Sequence, residues 1–268
     1  MPERDTVELF IRGTELKSEL SEKPMHRNNI RIRLGGMYFS LRRYMKWLFG
    51  GMRFAVKSNE TLAHICTFHK TPLLRKLKDV DMYLQYNKIT NLRLAVAKIN
   101  NVTLYPGETF SYWKLIGKPT RAKGYLQGMV LRNGKVTKGI GGGLCQLSNL
   151  IYWITLHTPL TVIERHRHGY DVFPDSNRTQ PFGSGATCFY NYGDLMIKND
   201  TNQTFQLSVR ITEKELEGTW LSDKQPTLAY EVYEKEHFIQ AEFWGGYTRH
   251  NVLFRKVYEL DMNQIADE

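Results

Sequence analysis

The sequence predicts an α+β fold: an N-terminal helical region, then a mostly antiparallel β-sheet packed on a helix that begins at a cysteine motif. Three observations carry this. Leu147, Leu150, Ile151 and Ile154 recur at helical spacing directly behind Gly141-Gly142-Gly143-Leu144-Cys145. Leu73, Leu74, Leu77, Val80 and Leu84 make an earlier stripe at three-to-four-residue intervals. Between and after these, short apolar runs divided by Gly, Pro and Asn read as strands and turns.

Residues 1–33 are charged and lack a clear period. The next segment, residues 37–56 (MYFSLRRYMKWLFGGMRFAV), concentrates aromatics and Met among Arg and Lys and is too polar to span a bilayer. Two readings stay open for it. It packs as a helical subunit on the core, or it lies on an anionic membrane surface anchored by Trp47 and Phe49, with Gly50-Gly51 bending it.

From Thr71 the spacing predicts a helix, followed by a second short apolar element at Leu92, Leu94, Val96 and Ile99. Residues 102–138 read as β-structure. Tyr105-Pro106-Gly107, Gly117-Lys118-Pro119 and Gly124 supply turns, and residues 129–138 (MVLRNGKVTK) form a hairpin whose Asn133-Gly134 suits a type I′ turn. Ala186 to Tyr192, Leu195 to Lys198 and Phe205 to Ile211 read as strands, with Cys188 inside the first. The chain divides into an N-terminal helical and basic extension (1–69), a core domain (70–215) and a C-terminal extension packed on the core (216–268).

Composition narrows the partners. A net charge of +10 predicts attraction to polyanions, either anionic lipid or an anionic wall polymer. The cations are scattered and no helix-turn-helix, zinc-finger, RRM or KH pattern accompanies them, so nucleic acid is not expected. The N-terminus lacks an apolar signal region and no run of 18 apolar residues exists, which reads as cytoplasmic or membrane-peripheral. His64, Cys66 and His69 match no closed zinc spacing, so neither metal nor cofactor is expected. Nothing in the composition sets an oligomeric state.

Three cysteines are too few and too odd in number for a disulfide framework. Cys145 stands out, because a helix start favours thiolate and its unpaired amides can hold an oxyanion. Gly142, Gly143, Gln146 and Ser148 are the candidates for holding that oxyanion or the substrate. In residues 161–170 (TVIERHRHGY), strand alternation puts Val162, Glu164, His166 and His168 on one face and Arg165 and Arg167 on the other. His166 or His168 is then the general base for Cys145, with Glu164, Asp171 or Asp175 orienting it. Arg178 is a candidate for binding a substrate carboxylate through its planar fork.

Tyr105-Pro106-Gly107-Glu108-Thr109-Phe110-Ser111, Gly124-Tyr125, GGGLCQLS at 141–148 and Glu164-Arg165-His166-Arg167-His168 together resemble the VanW family over about residues 70–210. The resemblance implies an accessory role in glycopeptide (vancomycin) resistance. Exported proteins with such domains imply cysteine-dependent L,D-transpeptidation of peptidoglycan, with Cys145 as nucleophile and a stem peptide or wall precursor as partner. That substrate is extracellular. The alternative is a non-catalytic module with a degenerate site that binds wall precursors or another resistance protein.

Overall fold

A computed structural model describes residues 8–11, 28–74, 81–132, 135–166, 180–181, 184–241 and 247–260. The elements before the cysteine motif are β1 (Glu8–Ile11), α1 (Asn29–Phe49), β2 (Arg53–Phe54), β3 (Val56–Lys57), β4 (His64–Pro72), α2 (Met82–Ile99), β5 (Val102–Leu104), β6 (Glu108–Ser111), α3 (Tyr112–Ile116), β7 (Gln127–Arg132) and β8 (Lys135–Ile140). Then follow α4 (Cys145–Thr155), β9 (Thr161–Glu164), β10 (Met196–Lys198), β11 (Phe205–Ile211), β12 (Glu215–Ser222), β13 (Leu228–Ala241) and β14 (Tyr247–Glu259). The fold is α+β with an N-terminal helix and sheets that are antiparallel apart from the short β2–β6 pair.

The sheet orders are β3-β5-β11-β12-β4, β2-β6-β10-β9, β1-β14-β13 and the hairpin β7-β8. Helix α4 packs on the five-stranded sheet. Leu147, Leu150, Ile151 and Ile154 are wholly buried, each contributing about 1.5–3 kcal/mol of burial. Gly218 on β12 lets the helix in, since a Cβ there would lie 3.0 Å from Leu150. The Trp220 indole N–H donates to Thr155 Oγ1 at 3.0 Å, satisfying a polar group that burial would otherwise leave unpaired.

Local chemistry explains the boundaries. Asn28 caps α1 by accepting the Arg31 N–H at 2.9 Å, and Gly51 at φ +66° leads the chain out after Phe49, so the glycine pair ends the helix rather than bending it. Arg43 is the buried residue of α1, and the apolar side chains expected to pack are largely exposed. The reading from Thr71 also changes. Strand β4 runs to Pro72 in register with β12, so Thr71 and Pro72 pair as strand, while Leu77 and Val80 lie outside the described residues. The end of the first stripe, Leu84, and the second element at Leu92, Leu94, Val96 and Ile99 lie on the single helix α2, which has no internal Gly or Pro and buries Leu84, Leu92, Ala95 and Ile99. The segment 186–192 is no strand. Its backbone makes isolated bridges, His166 with Thr187 and Phe189 with Gly193, because a turn at Tyr190-Asn191-Tyr192 folds it back on itself. The hairpin is present as β7–β8, while its Asn133-Gly134 turn lies outside the described residues.

Candidate active site

Cys145 is the first residue of α4, where the aligned peptide dipoles create partial positive charge, while the Gln146, Leu147 and Ser148 N–H groups donate to Gly143 O and Leu144 O of the preceding turn. The preceding loop is built by close approach. Gly143 sits at φ +92°, and a Cβ on it would lie 2.2 Å from the stem of Lys88. A Cβ on Gly142 would lie 2.2 Å from the Gly128 carbonyl carbon. Asn91, wholly buried on α2, clamps the loop by donating to Gly142 O at 2.9 Å and Leu126 O at 3.1 Å while accepting the Leu126 N–H at 2.8 Å.

The candidate oxyanion groups are engaged within the fold. The Gly142 N–H donates to Gly139 O and the Gln146 N–H to Gly143 O, both at 3.1 Å. The Gln146 side chain donates to Thr71 Oγ1 at 3.0 Å and Pro72 O at 2.9 Å, fastening α4 to the end of β4. Ser148 is wholly buried and donates to Ala186 O at 2.6 Å. Its neighbour Asn149 accepts the Ala186 N–H at 2.7 Å, so the first turn of α4 holds the segment carrying Thr187.

Thr187 brings the site together. Its Oγ1 lies 3.4 Å from Cys145 Sγ, and its N–H donates to His166 O at 2.9 Å in an antiparallel bridge. Bridge partners place their side chains on one face, with Cβ atoms about 5 Å apart. His166 therefore stands on the face of Thr187 that meets the thiol. Cys188, next along the chain, is a neighbouring thiol that burial pushes well above the ordinary value, with Cys145 nearby adding to the shift.

Glu164 holds the imidazole. His166 Nε2 lies 3.1 Å from Glu164 Oε1, and the carboxylate also accepts from Arg43 Nη1 at 2.8 Å, from Arg43 Nη2 and from the Asp194 N–H at 3.0 Å. Burial alone would raise the Glu164 pKa, but the bonds from His166, Arg43 and the Asp194 amide outweigh it and hold the group at about 2. An ionised carboxylate only accepts, so Nε2 carries the proton that donates to Glu164. Asp194 is buried and braced by Ser111 Oγ, the Trp113 N–H and the Leu195 N–H; burial pushes its carboxyl up to about 6. On the opposite face, as the alternation predicts, Arg165 Nε donates to Gly185 O at 2.9 Å and its guanidinium covers the Tyr152 ring at 4.4 Å.

The structure thus brings Cys145, His166 and Glu164 into one neighbourhood, whereas His168, Asp171, Asp175 and Arg178 lie outside the described residues. Sequence reasoning missed Thr187, Asn91, Asp194 and Arg43. Thr187 carried a weak signal, a polar residue inside an apolar run; Arg43 carried none, being one cation among many. Among the described residues no group of three or more His, Cys, Asp or Glu side chains is placed to hold a metal ion. A cavity of about 350 Å³ lies past the other end of α4, lined by Cys66, Thr67, His157, Pro226, Leu228 and Tyr230.

The family model described as "VanW like protein" matches residues 87–221. This chain belongs to the VanW family. Among its VanW relatives, the "Vancomycin B-type resistance protein VanW" of Enterococcus faecalis is 41% identical over 152 residues, covering 57% of this chain and 55% of that protein. The "Uncharacterized protein YoaR" of Bacillus subtilis is 28% identical over 151 residues, covering 54% of this chain and 45% of that protein. The chain spans about half the length of the curated relatives it matches. No solved structure matches. Cys145, Glu164, His166, Thr187 and Asp194 all fall inside the VanW segment, while Arg43 comes from outside it.

Proposed function

We propose that this VanW-family protein is a cysteine acyltransferase of the L,D-transpeptidase type, acting on peptidoglycan stem peptides and serving glycopeptide resistance, the role printed in the name of its enterococcal relative. The observation that carries the reading is the row of side chains from Cys145 Sγ to Thr187, across the bridge to His166, and on to Glu164. His166 Nδ1 takes the thiol proton, and the sulfur attacks the carbonyl carbon between the third and fourth stem residues. Main-chain amides at the junction from Gly143 to Cys145 take the oxyanion. The imidazolium then returns its proton to the departing D-Ala nitrogen, leaving a thioester. An amine from a neighbouring stem attacks that thioester, a new amide forms, and the proton returns to sulfur. The thiol and the imidazole thus emerge unchanged.

Purified protein given tetrapeptide muropeptides is expected to release D-Ala and to show a thioester adduct by intact mass, and Cys145→Ala is expected to do neither. Folded wild-type protein that gives no D-Ala and no adduct ends this reading. One observation favours a second reading, a non-catalytic module binding wall precursors or another resistance protein. The loop glycines, Gln146 and Ser148 all have structural work that needs no chemistry. Under it, Cys145→Ala keeps precursor binding and the resistance phenotype; loss of either with normal folding counts against it.

A further inference from the structure

Helix α1 faces the protein with one narrow stripe. Arg43 reaches Glu164 and the Tyr192 carbonyl, Tyr44 Oη meets Tyr190 Oη at 2.6 Å, and Trp47 packs on the core. Away from the core, Ile30, Leu34, Met37, Leu41, Met45 and Leu48 recur at intervals of three and four residues. They form one continuous apolar stripe, and each of the six is at least 50% exposed. Tyr38 and Phe49 widen it. At 3.6 residues per turn, Arg31 and Arg42 border the stripe on one side and Arg33 on the other, while Lys46 turns inward and places its Nζ 3.7 Å from Glu164 Oε2. The helix contains no Asp or Glu.

We propose that α1 is an interfacial helix whose outer stripe lies in the surface of an anionic lipid bilayer. The apolar side chains enter the acyl boundary while the bordering cations stay level with the headgroups, their stems extended along the apolar surface. Charge selects this occupant. A second copy seated on the same stripe would set arginines against arginines with no acid to relieve them, whereas anionic headgroups neutralise all of them. The whole chain carries a net charge of +10, of which the five cations of α1 supply half, so the rest of the chain adds to the attraction. The helix docks on the surface rather than crossing: among the described residues no helix is long and apolar enough to span a membrane. Because Arg43 leaves the inner side of α1 to hold Glu164, the His166–Glu164 pair would sit about one helix diameter, ~10 Å, from the lipid. The proposal stands apart from the acyl-transfer reading, which can fail without touching it.

The test is co-sedimentation of the full chain with vesicles of phosphatidylglycerol or of phosphatidylcholine, at low and at near-physiological salt. Wild-type protein is expected to pellet with the anionic vesicles, less so as salt rises, and to stay in solution with the neutral ones. Replacing the exposed Leu34, Leu41 and Met45 together by Ser is expected to cut partitioning by at least about tenfold. Replacing Arg31, Arg33 and Arg42 together by Gln is expected to cut it by roughly fivefold per arginine. Both variants should keep the wild-type thermal transition and circular dichroism, because none of these side chains is buried. The proposal is overturned by equal binding to both lipids, by a wild-type protein that ignores anionic vesicles, or by a Ser variant that still pellets fully. A solution dimer that the Ser variant turns to monomer also overturns it, since a second copy would then cover the stripe.

Discussion

At the N-terminal end of α4, Cys145 stands beside Thr187 and the His166 segment; past the C-terminal end, His157 shares a cavity with Cys66. Both ends thus offer a cysteine and a histidine, but their surroundings act in opposite directions. At the start of a helix the aligned peptides favour negative charge, and at the end they oppose it. Cys66 is pushed up to about 11, mainly by burial and also by Asp223, against a lowering bond from Ser222. Burial also lowers His157, even though its Nδ1 lies 2.9 Å from the Trp153 carbonyl, and the nearby Arg255 lowers it further. At neutral pH the second pair is a neutral thiol and a neutral imidazole, and among the described residues no carboxylate hydrogen-bonds the ring. The helix end and the carboxylate behind the histidine distinguish the two pairs.

The largest break in this comparison comes from the thiols themselves. Cys145→Ala is expected to lower D-Ala release by about a thousandfold or more, measured by amino-acid detection, whereas Cys66→Ala leaves it near wild type. Equal losses would erase the distinction between the two ends. Next in size is reactivity. With a pKa of about 11, Cys66 is thiolate in only about one molecule in ten thousand at neutral pH, so iodoacetamide should label Cys145 at least about a hundredfold faster, as read by peptide mass spectrometry.

Stability effects sharpen the same contrast. Arg43→Leu removes the guanidinium from the Glu164 carboxylate, which keeps His166, the Asp194 N–H and Lys46, and urea unfolding should show a loss of about 2–3 kcal/mol. Gly143→Ala forces a side chain into a positive-φ position against Lys88 and should cost about 2–3 kcal/mol by the same measurement. The smallest effect is the acid limb. Glu164 binds its proton more weakly folded (about 2) than unfolded (ordinary value 4.5), so its contribution is full above about pH 4.5 and is lost as pH falls toward 2. Asp194 acts oppositely, since it takes its proton near 6 when folded and near 3.8 when unfolded; the native state gains stability as pH falls through that range. Glu164→Gln should flatten the lower limb and Asp194→Asn the upper one. Identical acid profiles for both variants and wild type would remove the assigned roles.

Much of this region was legible because local rules govern it. Glycines ahead of an apolar helical stripe mark a helix start, and Glu164 and His166 share a face because strand side chains alternate. Distant partners were not legible. Arg43 lies 121 residues before Glu164 and reaches it only because α1 docks with Arg43 beside Glu164, Tyr192 and Met196; Thr187 reaches Cys145 only because Ser148 and Asn149 hold the backbone of Ala186 next to it. The Ala186 to Tyr192 run misled for the same reason, since its last three residues are a turn that the pairing of Phe189 with Gly193 closes.

The sequence by itself determined the family, the α+β class, the cysteine at a helix start and the face shared by Glu164 and His166. Each depends on motif or periodicity over a few neighbouring residues. The tertiary structure alone decided which cation holds Glu164, which hydroxyl meets the thiol, and which face of α1 is left to solvent. These are meetings of side chains far apart in the chain, set by how helices and sheets dock, and no local pattern encodes the docking.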